Sequence, residues 1–98
     1  MIIVIGKATA KSGCEEQVLA HSLAHVARSR LEDGCIDHTV SVDQENLRLF
    51  RFVEYWRDRD ALKAHFSVPE SRHFVASLTP LLAAEPELRI FDSQRIRL

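Results

Sequence analysis

Leu47-Arg48-Leu49-Phe50-Arg51-Phe52-Val53-Glu54-Tyr55-Trp56 is the stretch that decides the fold. Successive residues of a strand point to opposite faces. Phe50, Phe52, Glu54 and Trp56 therefore share one side, and Leu47, Leu49, Arg51, Val53 and Tyr55 share the other. Both sides are largely apolar. A sheet covered by helices on one face should show a polar second face to water. Here the second face needs a cover, and a second copy of the same sheet supplies it through self-complementary packing. The stretch implies a homodimer.

Working outward, Cys35 to Val42 alternates, with Ile36, His38, Val40 and Val42 on one face and Asp37, Thr39 and Ser41 on the other. That is a half-buried strand. The polar turn Asp43 to Asn46 joins it to the deciding strand as a hairpin. Ile2 to Ala8 is apolar at alternate positions on both faces and reads as a buried first strand. Ser12 followed by Glu15 has the form of a capping box, which predicts a helix from Cys14 to Leu31. Leu19, Leu23, Val26 and Ala27 form its apolar stripe, with His21, His25 and Arg28 opposite. Asp33-Gly34 closes it.

Beyond the deciding strand, Asp58 to Phe66 reads as a short helix with Leu62, His65 and Phe66 on one face. Ser67-Val68-Pro69 breaks it. A second piece, Glu70 to Ala84, carries Phe74, Leu78 and Leu81, and Pro86 ends it. Leu88 to Leu98 is the last strand. The order β-α-β-β-α-β, with the second helix broken at Pro69, is the ferredoxin-like α+β plan.

The chain has 98 residues, which fits one domain over residues 1–98. Its formal charge is −1, from 13 basic and 14 acidic residues, so the footprint of a nucleic-acid binder is missing. No apolar run is long enough to span a bilayer, so no membrane partner is expected. Met1 to Ile5 lacks the basic flank of a signal peptide. Cys14 and Cys35 fit no CxxC spacing and read as reduced thiols of a cytoplasmic protein. There is no phosphate loop, dinucleotide fingerprint or Gly-x-Ser-x-Gly elbow.

From Glu32 to Phe74 the sequence resembles the antibiotic biosynthesis monooxygenase family. The family pattern is a Glu-x-Gly turn, Glu-x-Trp, Ala/Leu-x-x-His, then His-Phe. The matching residues are Glu32-Asp33-Gly34-Cys35, Glu54-Tyr55-Trp56, Leu62 with His65, and His73-Phe74. The resemblance implies a dimeric α+β barrel, in which two sheets pack face to face and each subunit holds a pocket between sheet and helices. Many relatives oxygenate phenols, quinols or polyketide anthrones without metal or flavin. Others isomerise or bind small metabolites, and one branch degrades haem. That branch carries an Asn in its first strand and a histidine ligand near position 75. Ile2 to Ala8 contains no Asn, and position 75 is Val, so haem is not expected.

The resemblance and the strand pattern together nominate His38, His65 and His73 as catalytic candidates, and Phe52, Glu54, Trp56, Phe66 and Phe74 as substrate-binding candidates. His38 is either a pocket base or a half-buried structural histidine. His65 either contacts substrate or anchors its helix to the sheet. His73 lies at the pocket mouth or on the surface. Phe52 and Trp56 suit a flat aromatic substrate, or the core alone. Glu54, if buried, needs a partner or a raised pKa. His21 and His25 have metal-like i, i+4 spacing but face away from the apolar stripe, so no metal is expected. The expected function is a cofactor-independent monooxygenase for a quinol or polyketide phenol. The rivals are an isomerase of a small hydroxy-carbonyl metabolite and a non-catalytic small-molecule-binding dimer.

Overall fold

In the computed structural model, which describes residues 1–98, the chain forms β1 (Ile2–Thr9), α1 (Glu15–Ser29), β2 (Cys35–Val42), β3 (Leu49–Trp56), α2 (Arg59–Ser67), α3 (Pro69–Leu78), a 3₁₀ turn (Thr79–Leu81) and β4 (Glu87–Asp92). The strands make one antiparallel sheet in the order β2-β3-β1-β4. This is the ferredoxin-like α+β topology expected. β1 and β3 are central because their apolar residues on both faces leave them least suited to an edge. They pair from Ile2 opposite Trp56 to Thr9 opposite Leu49.

The helices cover the face that carries Phe50, Phe52, Glu54 and Trp56, all of which are buried. Two apolar clusters form there. One is built on Phe50, Phe52, Val18, Val26, Leu78 and Leu82. The other joins Trp56 and Ile2 to Ala61 and Leu62. On the opposite face Ile3, Ile5, Val53 and Tyr55 are only half-buried, and Phe91 lies beside Ile3. No helix is long and apolar enough to cross a membrane.

Several local expectations are corrected. The Ser12–Glu15 capping box does not form. Gly13, at φ +88°, turns the chain so that the Glu15 carboxylate accepts from the Gly13 N–H at 3.1 Å, and Cys14 becomes the N-cap without a side-chain bond. The buried face of α1 is Val18, Ser22, His25, Val26 and Ser29, while Leu23 is 51% exposed. Small serines let the helix approach its neighbours closely, and His25 finds buried partners that offset its polarity. A register shift between Cys35 and Asp37 turns Ile36 outward, to 58% exposure, instead of sharing the face of His38. α3 stops at Leu78 rather than Ala84, because Pro80 has no N–H to continue it. β4 ends at Asp92, short of Leu98, and all of its residues are exposed.

The turn after α1 sets a sharp test. Gly34 sits at φ +82°, and a Cβ there would collide with the Ala61 side chain. Gly13 sits at φ +88°, with no atom near a Cβ. Gly34→Ala should lower stability in urea by about 3 kcal/mol, from strained backbone plus overpacking. Gly13→Ala should cost about 1 kcal/mol. Equal costs would contradict the close packing of α2 on this turn.

Candidate active site

Three elements each deliver one histidine to the same interior space. The alternation of β2 turns His38 inward, α1 brings His25 on the face of Val18 and Ser22, and α2 brings His65 one turn after Leu62. Their exposures are 1%, 7% and 3% for His38, His25 and His65. The ring centroids are 5.3 Å apart for His25–His38, 5.2 Å for His25–His65 and 5.8 Å for His38–His65. The group bridges the two apolar clusters. His65 lies 4.6 Å from the Trp56 ring and His38 lies 6.3 Å from Phe52.

Glu54 faces this group from β3, directly across the ladder from His38. Its Oε1 accepts from the Trp56 indole N–H at 2.9 Å. Its Oε2 is 3.7 Å from His38 Nε2, and its Oε1 is 3.9 Å from His65 Nε2. Behind the histidines runs a charged chain. Glu32 Oε1 is 2.9 Å from His65 Nδ1, Arg28 Nη1 donates to Glu32 Oε2 at 2.9 Å, and Arg28 Nη2 is 2.7 Å from His25 Nδ1. The His25 ring stacks on Phe74 at 3.9 Å.

Burial governs the protonation states. It pushes His25 down to about 3, helped by the charges that His38 and His65 would carry and by Arg28. It pushes His38 down to about 3, with His65, Arg30 and Arg28 adding to the effect. It also lowers His65, against the hydrogen bond that His65 donates to Glu32 and the Glu32 charge. Glu54 is raised to about 7 by burial, against the Trp56 hydrogen bond. At neutral pH the space therefore holds neutral imidazoles beside a carboxyl close to its midpoint. Glu54 is the group of the set poised to exchange a proton near neutral pH.

A cavity of about 180 Å³ opens from this cluster. His25, His38, His65, Phe52, Glu54, Phe66 and Phe74 are on its wall, and exposed Glu87 and Leu88 of β4 stand at its mouth. Two of the nominated residues lie elsewhere. Trp56 is fully buried behind Glu54 and does not line the cavity. His73 is corrected. It is exposed on α3, 3.5 Å from Ser77 Oγ, because Ser71 and Phe74 take the inward positions of that helix.

Sequence reading passed over His25, Arg28 and Glu32 as site residues. The available signal was the spacing of Val18, Ser22, His25, Val26 and Ser29, a helical stripe hidden because two of its members are serine. His25, His38 and His65 each offer a nitrogen within 4.8 Å of the others, so they are also the residues to which a metal would have to bind.

Comparison with known proteins agrees with this architecture. A family model described as antibiotic biosynthesis monooxygenase matches residues 1–77. The uncharacterized protein sll1783 of Synechocystis sp. is 36% identical over 90 residues, which cover 92% of this chain and 61% of that protein. The chain thus spans about 61% of the length of that relative. A crystal structure of an antibiotic biosynthesis monooxygenase is 25% identical, with TM-score 0.90, over 97% of this chain and 100% of the other. The structure of PA3566 from Pseudomonas aeruginosa is 28% identical, with TM-score 0.87, over 96% and 94%. A protein from Deinococcus radiodurans superposes with TM-score 0.94 at 20% identity, over 100% and 97%, which shows the shared fold.

His38 provides a stability test. Both of its nitrogens are enclosed without a hydrogen-bond partner. Such orphaned polarity is destabilising, so His38→Leu should raise unfolding stability at pH 7 by about 1 kcal/mol. The folded-state pKa is lowered from 6.5 to about 3, so the unfolded chain takes up the proton first as pH falls. The extra cost of keeping the ring neutral is absent above pH 6.5 and grows as the pH falls toward about 3. His38→Leu should therefore flatten the acid limb of a stability–pH curve measured in urea. An unchanged limb would contradict a neutral buried His38.

Proposed function

This chain belongs to the antibiotic biosynthesis monooxygenase family, and on that premise we propose that it is a monooxygenase for a small electron-rich phenol, with a single-ring quinol as the best fit. The observation that carries the reading is the cavity itself. It is of one-ring size, has aromatic walls, and places neutral imidazoles and a near-neutral carboxyl at its inner end. A cavity of roughly 150 Å³ accommodates benzene, so about 180 Å³ suits one substituted ring better than a fused polyketide.

The chemistry balances with hydroquinone. The phenol gives its proton to an imidazole, and the phenolate gives one electron to O₂. The phenoxyl radical and superoxide combine at a ring carbon as a hydroperoxide, taking the proton back. The O–O bond then breaks with loss of water across the C–H, which leaves a carbonyl. Hydroquinone and O₂ become hydroxybenzoquinone and water, with all four electrons supplied by the substrate. His65 acts as the base, and Glu54 stabilises the imidazolium. Phe52, Phe66 and Phe74 hold the ring and exclude water. Trp56 positions Glu54.

The apolar outer face of the sheet supports a homodimer closing face to face. Sedimentation should give about twice 11.2 kDa, and Val53→Arg on the outer face should shift it to monomer. A monomeric parent protein would contradict this.

An oxygen electrode tests the reaction. Single-ring quinols should consume one O₂ per turnover. His65→Gln and Glu54→Gln should each slow turnover by about 10²–10⁴-fold without altering the dimer. The same imidazoles and carboxyl would also suit a proton-shuttling isomerase. Turnover of a small hydroxy-ketone under nitrogen, with no O₂ uptake on any quinol, would replace the oxygenase reading.

A further inference from the structure

We propose that the Arg28–Glu32 ion pair sets His25 and His65 in opposite tautomers and so builds a seat for one ionisable hydroxyl oxygen, that of a phenol or an enol. The inference rests on the cavity being the ligand site, but not on the reaction assigned to it.

A guanidinium only donates hydrogen bonds, and a carboxylate only accepts them. Arg28 Nη2 is 2.7 Å from His25 Nδ1, so this nitrogen accepts and the ring hydrogen sits on Nε2. Glu32 Oε1 is 2.9 Å from His65 Nδ1, so this nitrogen donates and Nε2 keeps its lone pair. The two charges hold each other at 2.9 Å, and Arg28 also reaches Ser71 Oγ at 3.4 Å and Glu70 at 4.0 Å. Neither Nε2 has a protein hydrogen-bond partner, and both open on the cavity. Glu54 Oε1, 3.9 Å from His65 Nε2, is already held by Trp56. A fixed donor and a fixed acceptor therefore face one space.

The spacing matches an oxygen atom. One nitrogen from each of His25, His38 and His65 lies within 4.8 Å of the others, a span that one oxygen atom hydrogen-bonded to two rings can bridge. A zinc ion needs about 2.0–2.1 Å to each imidazole, with every lone pair turned inward. The contact of Arg28 with His25 Nδ1 denies that lone pair to His25 Nε2. His38 is an independent sign of a missing ligand. It is 1% exposed, and neither nitrogen has a partner.

A hydroxyl in the seat accepts from His25 Nε2–H and donates to His65 Nε2. Its O–H bond breaks, the proton goes to His65 Nε2, and no electron moves. The oxyanion stays beside the His25 N–H and the new imidazolium, whose charge Glu32 balances from behind. A ligand of equal size without the hydroxyl makes only half of this arrangement. Arg28 and Glu32 are positioning residues, and His25 and His65 are the groups that touch the ligand.

The test uses 4-nitrophenol, with 4-nitroanisole as the hydroxyl-free control. At a pH where free 4-nitrophenol is mostly protonated, the bound probe should show the phenolate absorption band. It should bind at least tenfold more tightly than 4-nitroanisole. Glu32→Gln should remove the band and the preference while leaving 4-nitroanisole affinity within twofold, and Glu32→Asp should restore part of both. Nitrogen-15 spectra of the unliganded parent protein need no variant and should show Nε2–H on His25 and Nδ1–H on His65. The same tautomer in both rings, an undiminished band in Glu32→Gln, or equimolar zinc bound through all three rings would overturn the proposal. Phenolate formation without quinol oxidation would support the seat and remove the oxygenase reading. Quinol oxidation with identical tautomers would do the reverse.

Discussion

Three almost wholly buried imidazoles and one buried carboxyl face one another, and the fold is arranged around keeping them there. Polar groups in such a place cost free energy unless they are paired. Trp56 pairs one oxygen of Glu54, Glu32 pairs His65 and Arg28 pairs His25. His38 alone is left without a partner. The Trp56–Glu54 pair lies within β3 and the Arg28–His25 pair within α1, while the Glu32–His65 contact ties the turn after α1 to α2. The apolar clusters on either side then hold the elements at the spacing the polar groups require.

That arrangement also explains the division of labour around the cavity. The aromatic wall gives shape but no charge. The imidazoles stay neutral because burial disfavours the imidazolium, and Glu54 stays near its midpoint because burial disfavours the carboxylate. Opposite charge types are thus both suppressed by one cause. A ligand that ionises inside the cavity supplies the charge the protein withholds, and the groups are already placed to receive its proton.

Much of this was legible in the sequence. Phe50, Phe52, Glu54 and Trp56 read as one buried face, because a strand has a strict two-residue period that one-dimensional reading captures. His38 read correctly onto the inward face for the same reason. Helix α1 was harder. Hydropathy favoured Leu23 and set His25 opposite, yet the helix buries His25 with Ser22 and Ser29 and exposes Leu23. Besides Arg28, one turn on, His25 is held by stacking on Phe74, far along the chain, which no local pattern announces. The choice between mouth and surface for His73 was equally hidden. His73 sits next to Phe74, but a helix turns neighbouring residues to different faces, and only Phe74 reaches the cavity.

The central claim is that the space between His25, His38 and His65 receives the substrate oxygen. A crystal structure of the protein soaked with hydroquinone under nitrogen tests it most directly. The account predicts electron density for one ring against Phe52 and Phe74, with a hydroxyl oxygen within hydrogen-bond distance of His25 Nε2 and His65 Nε2. A quinol bound anywhere else, with the three imidazoles in contact only with one another or with a metal ion, would contradict it.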